Sequence, residues 1–372
     1  MPLEMPKLPQ VETIKGLVSR FLPALRAKET QKIEPDLRLG LNIGRANLVA
    51  CEISADKGKF TIERCVQKPL RTDQSLGQQL KEFFQGAKLQ SKKADVSLKG
   101  HGVVVRFLSF PRMSRADFSS AIQFEAEKYL PFNISEVVMD FQIADETADK
   151  PAKEDGTMQV ILVAARKTEV EHLAAAMKEA GFGLNAIDVD IFAITNLFAF
   201  VHPEAKDHTY AVVDLGAVDT SLGILSKDTL VFSRDIAFGG SDLTEFIKRK
   251  LNVSHEEALK IQCGPGSNQA DQNAAVEEGL SRLFQELRSS INYYYNQHQN
   301  ASQIEGIYIS GGLSQLAILK SLLEKQMEVP INTWDPIPAF QVGEGVTLDV
   351  LQSLNPYLPV SLGLGIRPIG KS

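Results

Sequence analysis

The chain has 372 residues, 44% hydrophobic and 23% charged, with a formal net charge of −6 at pH 7. That length calls for two or more domains of ordinary globular composition. The acidic balance, without a basic run, excludes broad nucleic-acid binding, and three scattered cysteines (Cys51, Cys65, Cys263) with isolated histidines offer no metal-ligand spacing, so buried free thiols are expected.

Met1-Pro2-Leu3-Glu4 has no basic segment leading into an apolar core, and the apolar run around Val160 to Ala165 is too short to span a bilayer. These features predict a cytoplasmic protein that meets a membrane through a partner or by lying on its surface. Residues 1–36 form an N-terminal extension. Within it Val11, Ile14, Val18, Phe21 and Leu25 recur at helical spacing among Lys15, Arg20 and Arg26, and Pro23 ends or kinks the helix. Residues 11–26 are either a membrane-surface foot or a helix docked on this protein or a neighbour. Three cations attract lipid only modestly, which favours docking.

Strands are predicted at 38–43, 46–53, 59–66 and 94–98, with a helix near 76–87. From about Gly102 the pattern becomes a strand (Val103 to Phe107), then a helix with Ser114 as N-cap that runs to Tyr129 and stops before Pro131. Strands Val137 to Ile143 and Gln159 to Ala165 flank an acidic surface loop, Asp145 to Gly156. A helix from Thr168 to Ala180 closes on Gly181. The second half opens at Tyr210. It continues through a strand at 229–237, Gly239-Gly240, a helix from Asp242 to Leu251 and a Gly/Asn/Gln loop from Gly264 to Asn273. A long helix from about Ala274 to Gln297 and a strand from Ile304 to Ile309 follow. Ser310-Gly311-Gly312-Leu313 then opens a helix to about Met327. The partition is a first lobe (37–101, 184–207 and 345–372), an inserted α+β module (102–183) and a second lobe (208–344).

Two segments repeat one design at an offset of 172 residues: Leu39 to Ala50 and Ala211 to Leu222. Each is an apolar strand, an Asn or Asp, one apolar residue, a Gly turn and a second apolar strand. Such a hairpin brings backbone N–H groups up to a phosphate, and an acid at the strand end can hold a Mg²⁺ shell.

The order hairpin, inserted module, second hairpin, Gly-Gly strand exit resembles the actin-like ATPase superfamily. Within it the chain resembles the PilM family of type IV pilus assembly proteins. The resemblance runs from residue 37 to 369 and is carried by three segments in order. They are Phe110-Pro111-Arg112-Met113 through Glu125 to Phe132 and Asp140-Phe141; Asp214-Leu215-Gly216 through Phe238-Gly239-Gly240-Ser241; and Tyr293-Tyr294-Tyr295 followed by Ile309-Ser310-Gly311-Gly312. The related FtsA family carries a C-terminal amphipathic helix after a linker, whereas the end at Gly370-Lys371-Ser372 shows neither.

The resemblance implies a two-lobed actin-like α/β fold, a duplicated ribonuclease H-like unit with an α+β subdomain in the first lobe. It also implies a nucleotide cleft at Asn42, Gly44, Arg45, Asn47, Asp214, Gly216, Asp219, Thr220, Gly239, Gly240, Gly311 and Gly312. ATP with Mg²⁺ is the cofactor, and Asp214 faces the metal if the Mg-nucleotide binds. The site is expected to be degenerate. Asn42 replaces an acid, Arg45 crowds the phosphates, Leu259 and Gln262 stand where relatives place Glu and Lys, and Ile318 stands where a glycine packs on the base. Losing two or three contacts at about 1–2 kcal/mol each carries a micromolar ligand toward millimolar. Arg45 pairs with Asp214, points to solvent, or binds the phosphates itself.

No catalytic residue is assigned. The implied function is a non-catalytic scaffold at the inner membrane that binds the cytoplasmic N-terminal peptide of PilN in a groove between first lobe and module. Other inner-membrane pilus platform proteins and self-association are further expected contacts. The alternatives are an ATP-binding actin-like ATPase or an FtsA-like filament former.

Overall fold

The computed structural model describes residues 36–56, 58–143, 156–264, 269–297 and 301–367. The helix expected at 11–26 and most of the acidic loop 145–156 lie outside them. The chain begins with β1 (Asp36–Ile43), β2 (Asn47–Asp56), β3 (Lys59–Pro69), α1 (Leu76–Ala87) and β4 (Lys93–Leu98). Ser75 caps α1 by accepting from Gln78 N–H. Next come β5 (Val103–Pro111), α2 (Arg115–Glu125), β6 (Val137–Ile143), β7 (Thr157–Arg166) and α3 (Lys167–Glu179). They are followed by β8 (Gly183–Val189) and α4 (Asp190–Val201).

The second half holds β9 (Thr209–Leu215), β10 (Thr220–Ser226), β11 (Thr229–Ile236), α5 (Gly240–Leu251), α6 (His255–Cys263) and α7 (Gln269–Gln297). It continues with β12 (Ile307–Ser310), α8 (Leu319–Met327) and β13 (Ile331–Thr333). The tail adds β14 (Gln341–Val342), α9 (Leu348–Leu354) and α10 (Leu358–Gly365).

The duplication is explicit in the sheets. One has the order β14-β3-β2-β1-β4-β8 and the other β11-β10-β9-β12-β13. In both, the first three strands of the unit meander antiparallel, and the next two join the first strand's far side in parallel. Each sheet builds its own core: one around Leu41, Phe192 and Leu362, the other around Val213, Leu280 and Leu319.

The third sheet, β5-β7-β6, is apolar on both faces. Val103, Val105, Ile161 and Val163 pack on the first core, while Phe110, Met158, Val160 and Leu162 close a separate core under Phe118 and Ile122 of α2. This explains why Val160 to Ala165 reads as an unbroken apolar run rather than an alternating one.

Two expectations are corrected. The helix from Ser114 ends at Glu125 and gives way to a 3₁₀ turn at Ala126–Lys128, as the chain prepares for Pro131. The helix expected from Gly311 to Met327 is broken into a turn at Gly312–Gln315 and α8, because the backbone is extended at Leu316 between them. Val170, Leu173 and Met177 of α3 pack in the first core together with Ile161 and Val163 of the third sheet. Trp334, Ile337 and Phe340 pack there too, and β14 pairs with β3 in parallel. Among the described residues no helix is long and apolar enough to cross a membrane.

Candidate functional site

The two hairpins turn in the same way. Gly44 N–H donates to the Asn47 carbonyl at 3.0 Å, and Gly216 N–H donates to the Asp219 carbonyl at 3.0 Å. Asn42 and Asp214 hold equivalent rungs, opposite Val49 and Ser221. Close approach requires a glycine at 216, where a Cβ would lie 2.6 Å from Asp219 O, and leaves a tight 3.0 Å to Asn47 O at Gly44.

Between the hairpins lies a cleft of about 330 Å³, within the size of small-molecule sites. Asn42, Gly44, Arg45 and Asn47 line it from the first hairpin, Asp214 and Gly216 from the second. Gly240, Gly311 and Gly312 complete the far side, where Tyr357 packs on Gly312 and Leu259 and Gln262 enter from α6. Gly311 must be glycine, since a Cβ would stand 2.4 Å from the Leu215 carbonyl oxygen.

Three expected site residues do not line this cleft. Thr220 is fully buried, and its hydroxyl donates to the Phe238 carbonyl at 2.8 Å. Gly239 packs its backbone on the second hairpin, where a Cβ would meet Ala217 C at 2.5 Å. Asp219 lines a neighbouring cleft instead. The start of α5 is committed to the protein itself: Gly240 N–H donates to Gly216 O and Ser241 N–H to Ala217 O.

The cation facing Asp214 is Lys99, a residue the sequence did not single out. It follows β4, and its Nζ lies 3.1 Å from Asp219 Oδ1, 3.6 Å from Asp190 Oδ2 and 3.9 Å from Asp214 Oδ2. Its side chain is only 12% exposed. Burial alone would lower the lysine pKa, but Asp190, Asp214 and Asp219 together raise it above the ordinary value. Burial pushes Asp190 up to about 6 against the pull of Lys99. Burial likewise raises Asp214, countered by Lys99 and by Ser310, whose hydroxyl donates to Oδ1 at 3.1 Å. Arg45 does not take the Asp214 partnership. It is exposed at the hairpin tip, near Gly100.

These residues do not fit a divalent cation. Asp214 is engaged by Lys99 and Ser310, Asn42 offers no charge, and among the described residues no cluster of three or more His, Cys, Asp or Glu is placed to hold a metal ion. The cleft does keep room for a polar ligand, and Asn42 Oδ1 is buried there without a protein partner.

The second cleft, of about 530 Å³, opens between β5, β11 and the first lobe. Val103, Val104 and Val105 line it, with Pro131, Phe132 and Ile191. Among the described residues β5 pairs only with β7, so its other edge is unpaired. Of the family-like run 110–132, Phe110, Phe118 and Leu130 are core, while Pro131 and Phe132 reach this cleft.

A family profile described as type IV pilus assembly protein PilM matches residues 40–369. Among solved structures, the PilM-PilN type IV pilus biogenesis complex aligns at a TM-score of 0.79 and 28% identity, covering 89% of this chain and 99% of that chain. The ethanolamine utilization protein EutJ from Carboxydothermus hydrogenoformans aligns at a TM-score of 0.51 and 13% identity, covering 90% and 91%, a likeness of fold alone. The duplicated sheets are those of the actin-like ATPase fold. The chain belongs to the PilM family of type IV pilus assembly proteins.

Proposed function

We propose that this protein is a scaffold of type IV pilus assembly that grips the N-terminal tail of a PilN-type membrane protein, and that it does so without consuming ATP. The observation that carries the reading is the free edge of β5 beside an apolar cleft. An extended peptide gains main-chain hydrogen bonds from a strand edge and side-chain pockets from a cleft wall. Val104, Val105 and Phe132 supply the apolar wall. Arg166 stacks on Phe132 at 4.5 Å and holds that ring in position. Holding such a tail would station the protein at the inner membrane.

The nucleotide cleft supports the second half of the reading. Asp190, Asp214 and Asp219 leave an excess of negative charge around one lysine, which opposes a polyphosphate. Fluorescence anisotropy with a labelled PilN N-terminal peptide tests tail binding. Phe132→Ala should weaken it about tenfold, the loss of one anchor of about 1–2 kcal/mol. A peptide that binds equally well to Phe132→Ala, or not at all to the intact protein, would refute the assignment. Steady phosphate release from ATP would refute the non-catalytic half.

A further inference from the structure

We propose that the Lys99 ammonium stands where this fold would otherwise hold a divalent cation, and that it ties the two lobes together through Asp190, Asp214 and Asp219. This concerns the smaller cleft and does not rest on tail binding in the larger one.

The geometry gives the lysine a role that a surface ion pair lacks. Lys99 and Asp190 belong to the first lobe, at the exit of β4 and the first turn of α4. Asp214 and Asp219 belong to the second, at the end of β9 and in its hairpin turn. One buried cation thus reaches carboxylates of both lobes within 3.1 to 3.9 Å. The turn carrying it is fastened to the second lobe a second time: the Asp235 carboxylate of β11 accepts from the Gly100 backbone N–H and, at 2.7 Å, from the Ser221 hydroxyl.

A metal cannot share this position. Mg²⁺ needs oxygen ligands near about 2.1 Å in octahedral array. Here the oxygens stand farther off, around a group that is already positive. In water an ammonium and a carboxylate gain little by pairing, but exclusion from solvent strengthens the attraction and penalises any carboxylate left alone. Separating the lobes would leave Asp214 and Asp219 without their cation, so closure needs neither nucleotide nor metal.

The test uses the full chain and spin labels on native Cys263, which is exposed on the second lobe, and on Lys81→Cys, exposed on the first; Cys51 and Cys65 are buried. The expected result is one interlobe distance in the otherwise unaltered protein that does not change in about 10 mM Mg²⁺, with no saturable Mg²⁺ uptake by calorimetry. Lys99→Met keeps the length of the side chain and removes its charge; it should lengthen and broaden the distance, and Lys99→Arg should restore it. If Lys99→Met does not fold, Asp219→Asn weakens the shortest pair and should lengthen the same distance. An unchanged distance in the charge-removing variant, or saturable Mg²⁺ binding to the protein with Lys99 in place, would overturn the proposal.

Discussion

Replacing Gly363 by alanine tests how α10 is wedged into the first lobe. A Cβ there would stand 2.0 Å from the Ala193 carbonyl oxygen of α4 and 2.5 Å from its carbon. Ordinary contact begins near 3.4 Å, so the two helices must part by roughly 1.4 Å. The helix has nowhere to retreat. On its other side a Cβ on Gly40 of β1 would already stand 1.9 Å from the Ser361 carbonyl oxygen. Leu358, Leu362 and Leu364 have no exposed surface. Each is worth about 1.5–3 kcal/mol when fully buried. Losing about half of that burial costs roughly 3–4 kcal/mol, against about 1 kcal/mol gained from the better helix former. Gly363→Ala should therefore lose about 2–3 kcal/mol, and Gly40→Ala a similar amount. The two push the helix in opposite directions, so neither relieves the other and the double variant should be at least additive. Urea unfolding followed by Trp334 fluorescence reads this directly, since Trp334 is the single tryptophan and lies in the first core. A change below about 0.5 kcal/mol in Gly363→Ala, or a double variant more stable than either single one, would refute the reasoning.

Burial pushes the Asp95 carboxyl up to about 6, partly offset by the Asn185 amide donating at 2.8 Å and by Arg367 and Arg38, with Asp188 adding to the rise. Folding then favours the protonated form, and the cost of the charged form grows as pH rises from about 4 to about 6. Over that window the unaltered protein should lose up to about 3 kcal/mol relative to Asp95→Asn, measured by urea midpoints at each pH. The buried Arg367–Asp188 pair meets at 3.1 Å. Arg367→Met should cost about 3–5 kcal/mol by stranding a carboxylate, and Asp188→Asn added to it should recover part of the loss. Cys51 and Cys65 face each other across β2 and β3, Sγ to Sγ 2.6 Å, and both are buried, while Cys263 is exposed. Burial also raises the Cys65 thiol. A colorimetric thiol titration of the native protein should show one fast-reacting group, with the other two released only by denaturant.

The hairpins were legible because their chemistry is local: glycine, one rung and a turn hydrogen bond, repeated at a fixed offset. The strands and α1 followed from periodicity, and the start of α2 from Ser114 as cap. Lys99 was not legible. It is an ordinary lysine between Leu98 and Gly100, and two of the three acids that give it meaning lie more than a hundred residues away in sequence. The signal that could have raised it is a lysine followed by Gly100, a residue at φ +80°, at a strand exit. Arg45 stands inside the motif, yet at the tip of the turn it faces water. Thr220 failed for the opposite reason. It continues the hairpin's polar run, but both faces of β10 are covered, and its hydroxyl is spent on the Phe238 carbonyl. The pairing of β14 with β3 was obscured because that strand is two residues long, with no periodic stretch of its own.

Lys99 and Gly100 are consecutive, and they form the partition between two compartments: the first lines the smaller cleft, the second the larger. Among the described residues Arg45 alone borders both. One peptide link is therefore the wall that a guest in either chamber would meet.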